Sequence, residues 1–224
     1  MSRSIYLNCR HLLVTLLMLI VASQTNAQNI TAAHFRVSDK IQGLRSIELI
    51  LNSKIIIGLG PEGKIFYVDQ VDGSDSGNDN DNGPSYDRFY NTEGNPTSIA
   101  NQPITYFDSS DKDKEGKIQS IGSIKFDYND SYDIHDIKGR LKSIGSIKIA
   151  YNNSFDIHDK AGTLKSIGDI DIKYYNAFDI NEPQGKVKSI GNVKVSYYNK
   201  LDDEKYFGRI KSITGNSKRL YITK

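Results

Sequence analysis

The segment that decides the fold is a seven-residue phrase that recurs through the second half of the chain. Residues 139–145 read Gly-Arg-Leu-Lys-Ser-Ile-Gly, residues 162–168 read Gly-Thr-Leu-Lys-Ser-Ile-Gly, and residues 185–191 read Gly-Lys-Val-Lys-Ser-Ile-Gly. The opening glycines belong to a series spaced by 23 residues: Gly116, Gly139, Gly162, Gly185 and Gly208. A degraded copy opens at Gly94, and a partial echo begins at Gly43. A fixed period of this kind is typical of stacked repeats, in which each unit shares its core with its neighbours.

Each repeat has the composition and alternation of β-structure. Ile, Val, Tyr, Phe and Ser dominate it, and no helical spacing of apolar residues survives across the glycines. One alternating set is mostly apolar: Leu141, Ser143, Gly145, Ile147, Ile149 and Tyr151. The other set is mainly cationic: Arg140, Lys142, Ile144, Ser146, Lys148 and Ala150. The dipeptide Gly145-Ser146 could be a two-residue hairpin turn, but strict alternation favours one long strand bent at Gly145.

The remainder of the repeat predicts a turn and a short return strand. Residues 152–154 are turn formers, and Phe155–His158 is the return segment. Two stackings fit this unit: an antiparallel meander with equivalent strands about 9.6 Å apart, or a parallel β-solenoid rising about 4.8 Å per coil. The sequence therefore predicts an all-β fold of stacked repeats over residues 94–224, and it leaves the stacking open.

The first 27 residues have the pattern of a secretory signal peptide. Arg3 and Arg10 precede an apolar run at residues 12–22, and Ala27 is a small residue suited to cleavage. We therefore expect export to the periplasm, the cell surface or the medium, with no membrane span after cleavage. The single cysteine, Cys9, lies in this segment, so the mature chain has no thiol chemistry. The two arginines account for the net charge of +2, and a neutral mature chain argues against a nucleic-acid partner.

Two different segments precede the repeats. Residues 28–70 contain three apolar runs, which predict strands that cap the first repeat. Residues 71–93 are acidic and of low complexity, and we interpret them as a flexible loop. Four carboxylates in this loop could bind calcium, although the EF-hand pattern is absent: Asp72, Asp75, Asp79 and Asp81. Calcium is the one cofactor that the sequence suggests, and a solvated linker is the alternative.

Stacked repeats also create ladders of equivalent side chains, and each ladder has two interpretations. The histidines His135 and His158 lie near aligned carboxylates and could hold a metal ion, or the aspartates could satisfy turn amides. A lysine ladder could attract an acidic polysaccharide or an anionic lipid, or it could form a solvated face: Lys142, Lys165, Lys188 and Lys211. A tyrosine stripe could stack on sugars or close the core: Tyr151, Tyr174 and Tyr197.

The repeats resemble the tyrosine-aspartate repeats of bacterial wall-associated and Rhs-type proteins. The resemblance covers residues 117–224 and is carried by two phrases: Tyr132-Asp133 ahead of 139–141 (Gly-Arg-Leu), and Phe155-Asp156 ahead of 162–164 (Gly-Thr-Leu). In that family an aromatic-aspartate pair precedes a Gly-Arg-Leu step in short β-hairpins. The resemblance implies a secreted, non-catalytic β-scaffold.

The sequence predicts a binding protein or scaffold rather than an enzyme. No nucleophile elbow, zinc-binding helix, phosphate loop or dinucleotide fingerprint occurs, and residues repeated in every unit are better suited to structure than to catalysis. A cell-surface polysaccharide or protein is the expected partner. Two alternatives stay open: a polysaccharide-acting enzyme on a solenoid, with paired carboxylates such as Asp156 and Asp179, and an outer-membrane β-barrel.

Overall fold

The fold is a two-layer β-structure. The computed structural model describes residues 28–40, 43–71 and 94–224, so the predicted signal peptide and most of the acidic loop lie outside the described residues. The strands are β1 (Ile30–Val37), β2 (Leu44–Leu51), β3 (Ile55–Leu59), β4 (Ile65–Gln70), β5 (Ser98–Ile99), β6 (Gln102–Tyr106), β7 (Ile118–Ile121), β8 (Ile124–Tyr128), β9 (Leu141–Ile144), β10 (Ile147–Tyr151), β11 (Leu164–Ile167), β12 (Ile170–Tyr174), β13 (Val187–Ile190), β14 (Val193–Tyr197), β15 (Ile210–Thr214) and β16 (Leu220–Thr223). One short 3-10 helix, Glu204–Tyr206, is present, and the described ranges contain no helix that could span a bilayer.

Each repeat folds as a β-hairpin, in which Gly145-Ser146 is the turn between β9 and β10. Ile144 pairs with Ile147, and Ser143 pairs with Lys148. Gly145 has a φ of 56°, which glycine adopts without steric cost and which the first central position of a type II′ turn requires. The prediction of one long bent strand is therefore wrong, because the chain reverses direction at this turn.

A β-bulge in the first strand of each hairpin explains why strict alternation was misleading. Residues 127–128 of β8 pair with Ser143 and Leu141, so Lys142 is an extra residue with no pairing position on β8. The bulge turns Lys142 and Ser143 away from the core together, and Leu141 and Ile144 both become fully buried. The register shift recurs in the next two hairpins. Because of the bulge, Leu141 and Ile144 both face the core although they are three residues apart in one strand of a hairpin.

The hairpins join into an antiparallel meander, which decides between the two predicted stackings. Strands β5 to β15 form one eleven-stranded sheet in chain order. The predicted return strand at Phe155–His158 is wrong, because the chain from Asn152 to Gly162 is a loop beyond the strand ends. The loop base is closed by two backbone hydrogen bonds: the N–H of Gly162 donates to the carbonyl of Asn152 at 2.6 Å, and the N–H of Asn152 donates to the carbonyl of Thr163 at 2.8 Å.

A second sheet covers the apolar face of this meander. It has the strand order β16-β1-β2-β3-β4, with β16 parallel to β1, and its inner side chains share one core cluster with the repeats. The N-terminal segment therefore covers the face of several repeats, whereas the sequence led us to expect it at the end of the first one. Lys186 joins the repeats to the N-terminal segment, because its Nζ donates to the carbonyls of Ser38 at 3.0 Å and Asp39 at 2.7 Å. The opposite face of the meander carries the polar side chains.

Candidate interaction surface

Four loops at one end of the meander share a fixed construction. In the loop after β10, Asn153 Oδ1 accepts the N–H of Phe155 at 3.0 Å, and Asp156 Oδ2 accepts the N–H of Asn153 at 3.0 Å. As in a capping box, the side chain of Asp156 accepts the backbone amide three residues earlier, whereas Asn153 caps the amide two residues later. Asp156 Oδ1 also accepts a hydrogen bond from Lys165 Nζ at 2.6 Å. The loop is thereby anchored to its own hairpin.

The same contacts recur in the other three loops. Each loop uses four residues in the same order: the first capping residue, the residue whose amide it accepts, the aspartate and the lysine. These residues are Asp130, Tyr132, Asp133 and Lys142 in the loop after β8; Asn176, Phe178, Asp179 and Lys188 in the loop after β12; and Asn199, Leu201, Asp202 and Lys211 in the loop after β14. The aspartate and lysine ladders that the sequence revealed are therefore partners of each other. Hydrogen bonds from these lysines hold the pKa of each aspartate below its ordinary value of 3.8.

This pairing changes what both ladders can do. The interpretation of the aspartates as turn-satisfying groups is the one that the contacts support. Each ladder lysine already faces a carboxylate at 2.6 to 2.8 Å, so its charge is locally compensated. Asp156 and Asp179, the suggested carboxylate pair of a glycan-acting enzyme, belong to different loops of a meander and not to adjacent solenoid coils.

Large apolar side chains project from these loops into solvent. Tyr132, Phe155, Phe178 and Leu201 occupy one repeat position and are 92%, 70%, 70% and 79% exposed. Ile134, Ile157 and Ile180 lie two residues further on and are 80%, 80% and 72% exposed. We call these seven residues the loop ridge. Exposed apolar surface of this extent commonly marks an interaction site.

The histidines in these loops pack against ring edges. His135 contacts the Phe155 ring of the next loop with centroids 4.8 Å apart, and His158 contacts Phe178 in the same way at 4.6 Å. Each histidine thus orients the ring of the following repeat. No cluster of three or more potential metal ligands occurs among residues 28–40, 43–71 and 94–224. The predicted calcium ligands Asp72, Asp75, Asp79 and Asp81 lie outside the described residues.

The tyrosines predicted to bind sugars lie in the core. Tyr151, Tyr174 and Tyr197 are 6%, 6% and 2% exposed, and burial raises the pKa of each. The Tyr151 hydroxyl donates to the carbonyl of Leu141 at 3.0 Å, and the Tyr174 hydroxyl donates to that of Leu164 at 2.9 Å. A buried ring offers no face to a sugar, so these tyrosines cannot form the predicted stacking platform. They close the core, which was the alternative interpretation.

The loop ridge was missed by sequence reasoning although its signal was present. Tyr132, Phe155, Phe178 and Leu201 are separated by 23 residues, and each follows an Asn or Asp by two positions. An aromatic residue within a turn-forming segment is a poor candidate for a β-strand. The same segment was interpreted as a return strand because of its alternating apolar residues, and a strand would have hidden every second one.

Known proteins do not identify this surface. No protein-family model matches the chain, and neither a curated protein nor a solved structure does.

Proposed function

We propose that this protein is an exported, non-catalytic β-repeat protein that binds an extended polysaccharide along the loop ridge. The observation that carries the proposal is the regular exposure of one large apolar side chain per repeat, at Tyr132, Phe155, Phe178 and Leu201. The proposal moves the sugar-binding role from the buried tyrosines to the rings of the loops.

The spacing of the ridge suits a polymeric ligand. Equivalent loops are separated by two strands of an antiparallel sheet, which corresponds to about 9.6 Å. An extended β-linked glycan presents a similar sugar face once per disaccharide, a comparable distance along the chain. Several weak stacking contacts on one rigid scaffold would act together, because each contact after the first is intramolecular.

The chemistry of the ridge also favours a sugar over a purely apolar partner. Two of the rings contact an exposed histidine that can hydrogen-bond to hydroxyl groups: Phe155 contacts His135, and Phe178 contacts His158. Aromatic faces flanked by a few polar groups are the usual composition of a small-molecule or sugar site. The loop anchors keep the rings in place before binding, so little ordering entropy is lost.

A chain-length series tests this function. The mature chain, residues 28–224, is titrated by calorimetry with neutral β-linked oligosaccharides of increasing length and is also tested for retention on the insoluble polymers. We expect affinity to rise with length until the ligand spans the rings of the ridge. The double variant Phe155→Ser/Phe178→Ser should weaken binding by about tenfold or more, equivalent to about 1.4 kcal/mol.

The matched control is Phe66→Ser, because Phe66 is 57% exposed and lies outside the ridge. It should leave binding of the oligosaccharides unchanged. Equal affinity for short and long oligosaccharides, or an equal loss in Phe66→Ser, would contradict the proposal. Failure of the whole polysaccharide panel to bind would do so as well.

A further inference from the structure

A cleft lies between the small sheet and the first strands of the meander. Strand β4 is the last strand of the small sheet and forms one wall of this cleft, and strands β6 to β8 of the meander form the other wall. The space between them has a volume of about 610 Å³. This value lies within the range of roughly 300–1,000 Å³ that is usual for ligand pockets.

The walls of this cleft are apolar. Ile65 and Val68 line it from β4, and Tyr106, Ile118 and Tyr128 line it from the meander. Both tyrosine hydroxyls are used within the protein: that of Tyr106 donates to the carbonyl of Pro96 at 2.7 Å, and that of Tyr128 donates to the carbonyl of Ile118 at 3.1 Å. The rings therefore present hydrocarbon surface to the cleft.

Cations gather at one rim of the cleft, at the end of the meander from which the loops project. They are Lys64, Lys117, Lys138 and Arg140, and Glu62 is the carboxylate that lines the cleft with them. Within the part of the chain that the structure describes, none of the four forms an ion pair. Lys117 donates to the carbonyl of Asp113 at 2.6 Å, Lys138 donates to the hydroxyl of Ser131 at 2.9 Å, and Arg140 donates to the carbonyl of Gly162.

Two cations of this rim can be compared with the residue at the same position of another repeat. Lys186 occupies the same repeat position as Lys117 and Arg140, but there the small sheet closes over it and it is only 6% exposed. Its ammonium group donates to the carbonyls of Ser38 and Asp39. Lys117 and Arg140, at the equivalent positions, line the cleft instead. A cationic rim above an apolar floor is complementary to an anionic amphiphile.

We infer that this cleft binds a long-chain fatty acid, with the alkyl chain between β4 and strands β6–β8 and the carboxylate at the cationic rim. The inference is independent of the polysaccharide proposal, because the loop ridge and the cleft share no residue.

Fluorescence titration of the mature chain with cis-parinaric acid, followed by displacement with palmitate, tests the inference. We expect palmitate to displace the probe at lower concentration than hexadecanol, which has the same alkyl chain without the charge. The double variant Lys64→Glu/Lys138→Glu should weaken palmitate binding by about tenfold or more, because it replaces attraction with repulsion at the rim. Its affinity for hexadecanol should stay close to that of the original chain.

The control variant Lys148→Glu/Lys194→Glu makes the same change in net charge. Both lysines are exposed on strands of the meander and form no ion pair among the described residues. This variant should bind palmitate like the original chain. Absence of probe binding, equal affinity for palmitate and hexadecanol, or an equal loss in the control would overturn the inference. Phe155→Ser/Phe178→Ser should retain palmitate binding, so failure of the ridge proposal remains distinguishable from failure of this one.

Discussion

Two rows of side chains with the same period have opposite environments in this protein. The core row is Tyr128, Tyr151, Tyr174 and Tyr197, and the ridge row is Tyr132, Phe155, Phe178 and Leu201. The two rows are only four positions apart within each repeat, yet the first is buried and the second is largely exposed. The period identifies equivalent positions, and their environment depends on whether the position lies in a covered strand or in a loop beyond the strand end.

The core row has a structural role that the ridge row lacks. In three members of the core row, Tyr128, Tyr151 and Tyr174, the hydroxyl donates to the carbonyl ten residues earlier. This bond ties the last residue of one hairpin to the first strand of the same hairpin. The backbone amides of Phe155 and Phe178 are capped by Asn153 and Asn176, while their rings project outward. The core row therefore contributes stability, and the side chains of the ridge row are exposed to solvent.

The largest expected difference in the free energy of unfolding is between two variants, each of which truncates one residue of one row. Tyr174→Ala removes a buried ring and should lower the free energy of unfolding by about 3–5 kcal/mol. Phe178→Ala removes an exposed ring and should change it by less than about 0.5 kcal/mol. Urea denaturation of the mature chain measures both values. Similar losses for the two variants would contradict the assignment of the rows.

A smaller difference in the free energy of unfolding is expected between two members of the core row. The Tyr174 hydroxyl has an acceptor, whereas the buried hydroxyl of Tyr197 has no hydrogen-bond partner among the described residues. Tyr174→Phe should therefore cost about 1 kcal/mol, since it leaves the Leu164 carbonyl without that donor, while Tyr197→Phe should be neutral or stabilising by up to about 1 kcal/mol. The same denaturation series checks the sign. A loss in Tyr197→Phe equal to that in Tyr174→Phe would show that both hydroxyls are satisfied.

The contrast between the rows also shows which features of the fold and of the loop ridge can be predicted from the sequence. The period, the β-composition and the apolar set containing Leu141, Ile147 and Ile149 predicted an all-β repeat fold and most of its core. The hairpin was missed because alternation cannot reveal a bulge, and only pairing with the next strand shows that Lys142 is extra. The ridge was missed because capping by Asn153 and an aspartate three residues later is a side-chain arrangement, which apolar periodicity does not register.

The smallest expected effect concerns the loop anchors, through pH. Lysine hydrogen bonds lower the pKa of Asp133, Asp156 and Asp179 from 3.8, and Asp202 is affected in the same way. A carboxylate with a depressed pKa in the folded state stabilises that state above its unfolded pKa, and this contribution is lost as pH falls through the folded value. The thermal midpoint should therefore be steady near neutral pH and should fall below about pH 4.

Replacing these four aspartates with asparagine should flatten that acid dependence, because asparagine still accepts a backbone hydrogen bond but does not titrate. The comparison variant Asp136→Asn/Asp159→Asn alters carboxylates of the same loops that have no lysine partner among the described residues. It should keep the acid dependence of the original chain. Each anchor is largely solvated, so the effect per loop is expected to be small. A midpoint profile in which both variants follow the original chain would mean that the anchors order the ridge without stabilising the fold.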